Sequence, residues 1–360
     1  MQGGTFLFQL RYFCMNNRQN KFQMKRGVTL KDIAQKLNMS VSTVSKSLSN
    51  DPSISPPTKA RVKKLADEWN YIPNEAARHF KLNRTYTIGL IIPNLMDQYY
   101  ALAINGAEKV AGQHQYNVII SQSHEDPERE DKIVDLMLRN RVDGLLVAIS
   151  KNREDMSVFK KTTYTGIPVI FFARPPKEDG FDAVISDNEH GAFKATEFLI
   201  KKGHKRIGHI MGPESMSVSY TRMEGYRRAL DKYKLPYNSA LVKSVDFTQE
   251  ATFSAMRRFM KMVTPPTAFF AFKNYIALDA IEYLKRKHPA MLRKIDFAGF
   301  GNLPLLQYLD HKPVASIEES SYEMGEEAAR LLLRTIHEEA PEEGRPVQHI
   351  QISCRLLAHK

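Results

Sequence analysis

Across residues 85–360 of this 360-residue chain, short apolar runs alternate with amphipathic stretches of helical period, and nothing else restricts the fold as much. Strand-like runs at Thr87–Ile92, Asn117–Gln122, Gly144–Ile149, Val169–Phe172 and Ala183–Ser186 are separated by helical stretches such as Tyr100–His114, Arg129–Asn140 and Gly191–Lys202. A second series follows at Arg206–Met211, Leu241–Val245, Ala268–Phe272 and Phe297–Phe300, with a helical stretch at Arg222–Tyr233. Strands joined through helices pair in parallel, because the chain must return to the same end of the sheet before each new strand. The pattern therefore predicts an α/β body of two lobes, each a doubly wound parallel sheet covered by helices. Ligands of such sheets sit at the carboxyl ends of the strands, and two facing lobes form a cleft there.

Residues 25–72 carry a different pattern, a small all-α head. Thr29-Leu-Lys-Asp32 resembles a capping box, and Leu30, Ile33, Ala34 and Leu37 share one helical face. Asn38-Met39 provides the break, since Asn tolerates the left-handed backbone of a tight turn. Ser40 then caps a second helix, Val41–Ser49, with Val44 and Leu48 on its inner side. Val41, Ser42, Ser45, Lys46 and Ser49 fall on its outer side. A third helix opens at Ser55-Pro56, with Val62, Leu65, Ala66 and Trp69 as its apolar stripe. Two helices across a short turn, with a third packed over them, make the helix-turn-helix plan. A helix that enters the major groove needs hydrogen-bonding groups and no bulky apolar side chains, a demand that Ser42, Ser45 and Lys46 meet.

Charge agrees with this division. Residues 1–84 hold fifteen Lys/Arg against five acids, so +10 of the net +12 lies in the first quarter of the chain. A cationic head on a near-neutral body points to a polyanion at one end, although charge alone does not separate nucleic acid from membrane lipid. No apolar run approaches the ~18 residues of a membrane span. Cys14 and Cys354 have no motif spacing, which excludes a disulfide framework or a Cys-based zinc site and fits a reducing cytoplasm. Residues 1–24 read as an extension with no folded role. The body has no phosphate-binding Gly-rich loop, no nucleophile elbow and no metal-ligand cluster, so no cofactor, metal or catalysis is expected.

The stretch Val28-Thr-Leu-Lys-Asp-Ile-Ala-Gln-Lys-Leu-Asn-Met-Ser-Val-Ser-Thr-Val-Ser-Lys46, followed by Asn70-Tyr-Ile-Pro-Asn74, resembles the lactose-repressor (LacI/GalR) family of bacterial regulators. The likeness continues through Ile88-Gly-Leu-Ile-Ile-Pro-Asn94, Arg141-Val-Asp-Gly144, Gly203-His-Lys-Arg-Ile207, Arg222-Met-Glu-Gly-Tyr226 and Ser321-Tyr-Glu-Met-Gly325. It implies that Val41, Ser42 and Lys46 read bases, while Thr29, Ser40, Ser45, Ser55 and Thr58 contact phosphates. Lys46 stands where some members carry Arg, which turns a bidentate guanine contact into a point-like one. Residues 73–84 would form a hinge helix capped by Asn74, with Ala77 and Phe80 in the minor groove. Phe80 replaces the usual Leu wedge; its alternative is to pack on the body.

In the body, the resemblance places Asp97, Tyr99, Tyr100, Arg222, Phe247, Lys273 and Gly301 at an effector cleft. Two positions depart from the family: Lys273-Asn274 stands for an Asn-Asp pair, and Gly301 stands for an Asp. Both changes remove groups that bind sugar hydroxyls, so Lys273 and Arg222 are expected to make the cleft positive and its effector an anionic sugar derivative. A cleft that instead docks a protein, or nothing, is the alternative. The expected whole is a cytoplasmic, nucleoid-associated regulator that binds a pseudo-palindromic operator on double-stranded DNA as a homodimer, with repression as the expected sense. A periplasmic-type solute-binding protein would lack the head. A nucleoid protein without sequence preference would keep the head but discriminate little among DNA sequences.

Overall fold

The structure, a computed structural model, describes residues 27–72, 84–338 and 346–359. The expected extension 1–24 and the hinge positions Asn74, Ala77 and Phe80 lie outside the described residues. The chain divides into two compact units, residues 1–78 and residues 79–360.

In the first unit, helices α1 (Leu30–Leu37), α2 (Val41–Leu48) and α3 (Pro56–Glu68) follow the expected plan. The Thr29 side chain accepts from the Asp32 amide while Asp32 receives the Thr29 amide, closing the capping box. Asn38 ends α1 in the left-handed region at φ 52°, and Ser40 caps α2 through the Thr43 amide. Ile33, Ala34, Val44, Val62, Leu65 and Ala66 form the core, with Leu37, Leu48 and Trp69 packed at its edge. Ser47 is also buried, and it escapes an unmet hydrogen bond by donating to the Thr43 carbonyl.

The second unit holds two six-stranded sheets among its described residues. The first has strand order β11-β5-β4-β3-β1-β2, formed by β1 (Thr87–Ile92), β2 (Asn117–Gln122), β3 (Gly144–Val147), β4 (Val169–Phe172), β5 (Asp182–Ser186) and β11 (His349–Ile352). All its pairings are parallel. The second has order β12-β10-β9-β8-β6-β7, from β6 (Ile207–Met211), β7 (Val242–Ser244), β8 (Ala268–Ala271), β9 (Asp296–Phe300), β10 (Ala315–Glu318) and β12 (Arg355–Ala358). Only β12 runs antiparallel to its neighbour. Nine of these strands coincide with the expected runs to within two residues. The last three, β10, β11 and β12, were not expected: β11 alternates polar and apolar residues, and β12 is largely exposed.

The chain passes between lobes three times, and the covering helices follow. Helices α4 (Gln98–Gln113), α5 (Pro127–Arg139) and α6 (Ser157–Tyr164) lie along the first series. After β5 the chain enters the second lobe as α7 (Asn188–Lys201), which packs on β9 and β10. Helices α8 (Ser217–Lys232), α9 (Gln249–Met260) and α10 (Asn274–Lys287) complete that lobe. After β10 the chain returns as α11 (Ser321–His337), which covers β3, β4 and β5. The β11–β12 connection makes the third passage. Ser320, at the second passage, adopts the left-handed conformation at φ 51°.

Helix α11 lies unusually close to α4. A Cβ on Gly325 would stand 1.8 Å from the Ala103 carbonyl oxygen, and one on Gly106 would stand 2.0 Å from that of Tyr322. Backbone, unlike a flexible side chain, cannot step aside, so the two glycines set the interhelical distance. Gly325→Ala should therefore lower stability by at least about 2 kcal/mol in urea unfolding. Gly112→Ala, on the same α4 but with nothing within 4 Å, should be neutral or stabilising. Equal midpoints for the two variants would contradict this reading of the crossing.

Candidate functional site

The head presents the expected DNA-facing residues on one helix and at three helix starts. Val41, Ser42, Lys46 and Ser49 are exposed, and Ser45 is half-buried. This leaves the outer side of α2 free of any apolar group larger than Val41. Thr29, Ser40 and Ser55 are the N-cap residues of α1, α2 and α3. Ser55 and Thr58 share a hydrogen bond of 2.9 Å at the start of α3. A helix N-terminus carries unpaired amides and positive partial charge, which gives each cap an electrostatic reason to approach a phosphate.

In the body, all seven residues assigned to the cleft line one cavity between the lobes, partly open to solvent. All but Arg222, in the second turn of α8, stand where a strand ends or a helix begins. Asp97 caps α4 by accepting from the Tyr99 amide, so the Tyr99–Tyr100 pair projects from the first turn. The two rings meet edge to face with centroids 5.4 Å apart. Tyr100 is only 4% exposed and belongs as much to the core as to the cleft. Burial pushes both phenol groups above their ordinary values, so both stay neutral donors. Phe247, in the left-handed region at φ 76°, lies against Phe272 across the other wall.

Arg222, on α8, is almost wholly buried and fully engaged. Its Nε donates to Asn188 Oδ1 at 2.8 Å, Nη1 to the Phe272 carbonyl at 2.5 Å, and Nη2 to Glu319 Oε1 at 2.6 Å. The guanidinium is also stacked, 3.5 Å from the Phe300 ring centroid and 4.4 Å from that of Phe272. Asn188 and Glu319 belong to two of the three passages between lobes. Arg222 is thus a knot tied around two inter-lobe passages as well as a wall of the cleft.

The expectation of a positive cleft is corrected by these contacts. Arg222 meets Glu319, and Lys273 Nζ reaches across to Asp97 Oδ2 at 3.4 Å. Lys273 also lies over the Phe247 ring at 4.4 Å. The described lining holds Arg174, Arg222 and Lys273 against Asp97, Glu318 and Glu319, an equal number of each sign. Arg174 is itself paired with Glu125 at 2.9 Å. Burial pushes the Glu319 carboxyl above its ordinary value, against the pull of Arg222.

The two departures at Lys273-Asn274 and Gly301 also differ in what they do. Asn274 is buried and turned into the lobe, where Nδ2 donates to the Gly301 carbonyl and to Ser316 Oγ. Gly301 adopts φ 92°, with open space where its Cβ would stand, so the cleft is wider there. Glu319, Arg174 and Phe300 were missed in the sequence. All three lie at or just beyond the carboxyl ends of strands, the position such folds reserve for ligands. Among the described residues there is no His/Cys/Asp/Glu group able to hold a metal, and no helix long and apolar enough to cross a membrane.

A helix-turn-helix unit followed by a two-lobed body with a cleft at its strand ends defines a regulator that couples DNA to a small molecule. Residues 29–74 match the model for bacterial regulatory proteins of the lacI family, and residues 85–360 match that for periplasmic binding proteins and the sugar binding domain of the LacI family. The chain belongs to the LacI family of DNA-binding transcriptional repressors with an effector-binding body. It is 33% identical over 311 residues to the HTH-type transcriptional repressor CytR of Escherichia coli K12, covering 86% of this chain and 90% of that protein. It is 29% identical to the repressor PurR of Actinobacillus pleuropneumoniae serotype 3, over 86% and 91% of the two chains. The fold also matches a lac repressor dimer bound to operator and the anti-inducer ONPF (TM-score 0.78, 20% identity, 92% of this chain and 98% of that one).

The Arg222 knot yields a test. Arg222→Met leaves Glu319 buried without its partner and should destabilise the chain by about 3–5 kcal/mol in urea at pH 7. Adding Glu319→Gln should recover part of that loss. A single variant as stable as the parent would show that the pair does not hold the passages together.

Proposed function

We propose that the chain binds a two-fold operator as a homodimer in the cytoplasm, and that a hydroxylated ring compound, a carbohydrate or its derivative, occupies the cleft and alters operator affinity. The observation that carries this reading is the convergence of residues from Asp97 to Gly301 on one cavity walled by aromatic rings and polar groups from both lobes. Aromatic faces suit the apolar faces of a sugar ring, and the surrounding carboxylates, amides and cations suit its hydroxyls. The charge-balanced lining favours an uncharged ring portion. Cross-lobe contacts such as Gln98 Nε2 to the Asn302 carbonyl, 3.2 Å, and Lys273 to Asp97 are those that ligand entry would rearrange. A ligand shifts operator affinity only by binding the two arrangements of the lobes unequally.

Titration calorimetry of the full chain against a panel of sugars and sugar derivatives, with operator affinity measured in parallel, tests the effector. A binder should lose at least about ten-fold in affinity when Tyr99 is changed to Ala, since an aromatic contact of this kind contributes on the order of 1.4 kcal/mol. Binding unaffected by that change would place the ligand elsewhere. On the head, Lys46→Ala should relax the preference for one base pair per half-site, read by selection of bound sequences. A uniform loss on all sequences would make Lys46 a phosphate contact instead.

A further inference from the structure

Beside the main cleft lies a second, smaller cavity, partly open to solvent. It is lined by Lys151, Arg153, Arg174 and Lys177 from the first lobe and by Ser215 and Ser217 from the second. No carboxylate lines it among the described residues. It shares Arg174, Met216 and Val218 with the main cleft, so the two cavities adjoin. The positive charge that the sequence suggested for Arg222 and Lys273 stands here instead.

The carboxylates that answer these cations lie outside the lining, so the cavity itself is faced by donors. Glu125 takes two of the three hydrogen bonds of Arg174, all of which leave from Nη1; the third goes to the Ile149 carbonyl. Asp131 and Glu130 stand 2.6 Å and 3.6 Å from Arg153, and Glu130 is pushed up to about 7 by burial. Lys151 Nζ meets a backbone carbonyl, that of Asp246, at 3.0 Å; the Asp246 carboxyl is held below its ordinary value chiefly by hydrogen bonds from Thr248, with Lys151 a lesser contributor. Lys177 is exposed and makes no ion pair among the described residues. The second lobe contributes the start of α8, whose N-cap is Met216, with no side-chain cap and no acid in its first turn. Its first amides therefore add positive partial charge to the same space.

We propose that this annex seats an anionic substituent, a phosphoryl or carboxylate group, carried by an effector whose ring lies in the main cleft. The inference rests on the cleft reading above and narrows it to an acidic sugar derivative. Charged donors from the first lobe, facing the start of α8 in the second, bind an oxyanion strongly, because each such hydrogen bond is charge-assisted. Bridging the two lobes, the anion would add its binding energy to the closed arrangement, beside the existing Lys151–Asp246 and Ser215–Asn152 contacts.

The full chain and its Lys151→Gln/Lys177→Gln variant are titrated with inorganic phosphate, and with ribose, glucose, ribose 5-phosphate and glucose 6-phosphate. The head is identical in both proteins, so a difference between them reads the annex. Phosphate should bind the parent at least about ten-fold more tightly than the variant, two charge-assisted contacts being lost. A sugar phosphate should gain a similar factor over its parent sugar in the parent protein alone. Lys177→Glu, a change at an exposed site, should weaken phosphate in the same direction and guards against a misfolded double variant. Equal phosphate affinity in all three proteins overturns the annex, even where a neutral sugar still occupies the cleft. Phosphate binding with no gain for either sugar phosphate overturns the substituent and leaves a free-anion site.

Discussion

The architecture of the body depends on one buried cation. Arg222 sits between the rings of Phe272 and Phe300 and bonds at once to Asn188, Glu319 and the end of β8. A guanidinium is suited to this because its planar fork offers five donors in fixed directions and stacks on aromatic faces; lysine could supply neither. Glu319 accepts the cost of burial because its partner is 2.6 Å away. Two of the three passages between the lobes are thereby tied to a helix of the second lobe. Any ligand that touched Arg222 would bear on the inter-lobe passages as well, without a long chain of intermediates.

The parts of the fold that were legible in the sequence are those set by neighbours along the chain. The Thr29–Asp32 box, the left-handed Asn38 and the Ser40 cap each involve residues three or four apart, and each formed as read. The inner strands of both lobes were legible because buried parallel strands are near-continuous apolar runs, as β1, β3, β4, β6 and β8 are. What escaped was the weaving. Nothing local says that β11 joins one sheet while β12, two residues later, joins the other.

The cleft shows the same division more sharply. Motif resemblance brought its seven residues together, and the folded chain does place them in one cavity. Their electrostatics were misjudged because the partners are remote: Glu319 is 97 residues from Arg222, and Asp97 is 176 from Lys273. Counting cations along a sequence cannot register such neutralisation. A cavity faced by cations and, among the described residues, by no carboxylate instead gathers around Lys151 and Lys177, residues that belong to no motif and follow β3 and β4 beyond their carboxyl ends.

The threefold crossing also has a consequence for how the protein is made. The first sheet receives its edge strand β11 and its covering helix α11 only from the last forty residues of the chain. The second sheet waits for β12. A ribosome that has delivered the whole of the first alternating series has therefore still not delivered a closed lobe. The head, whose contacts are all local, can fold long before. During that interval the nascent chain carries a finished DNA reader on an unfinished sensor. A message broken before Ile352 would leave its product in that state, with the head formed and the body never complete.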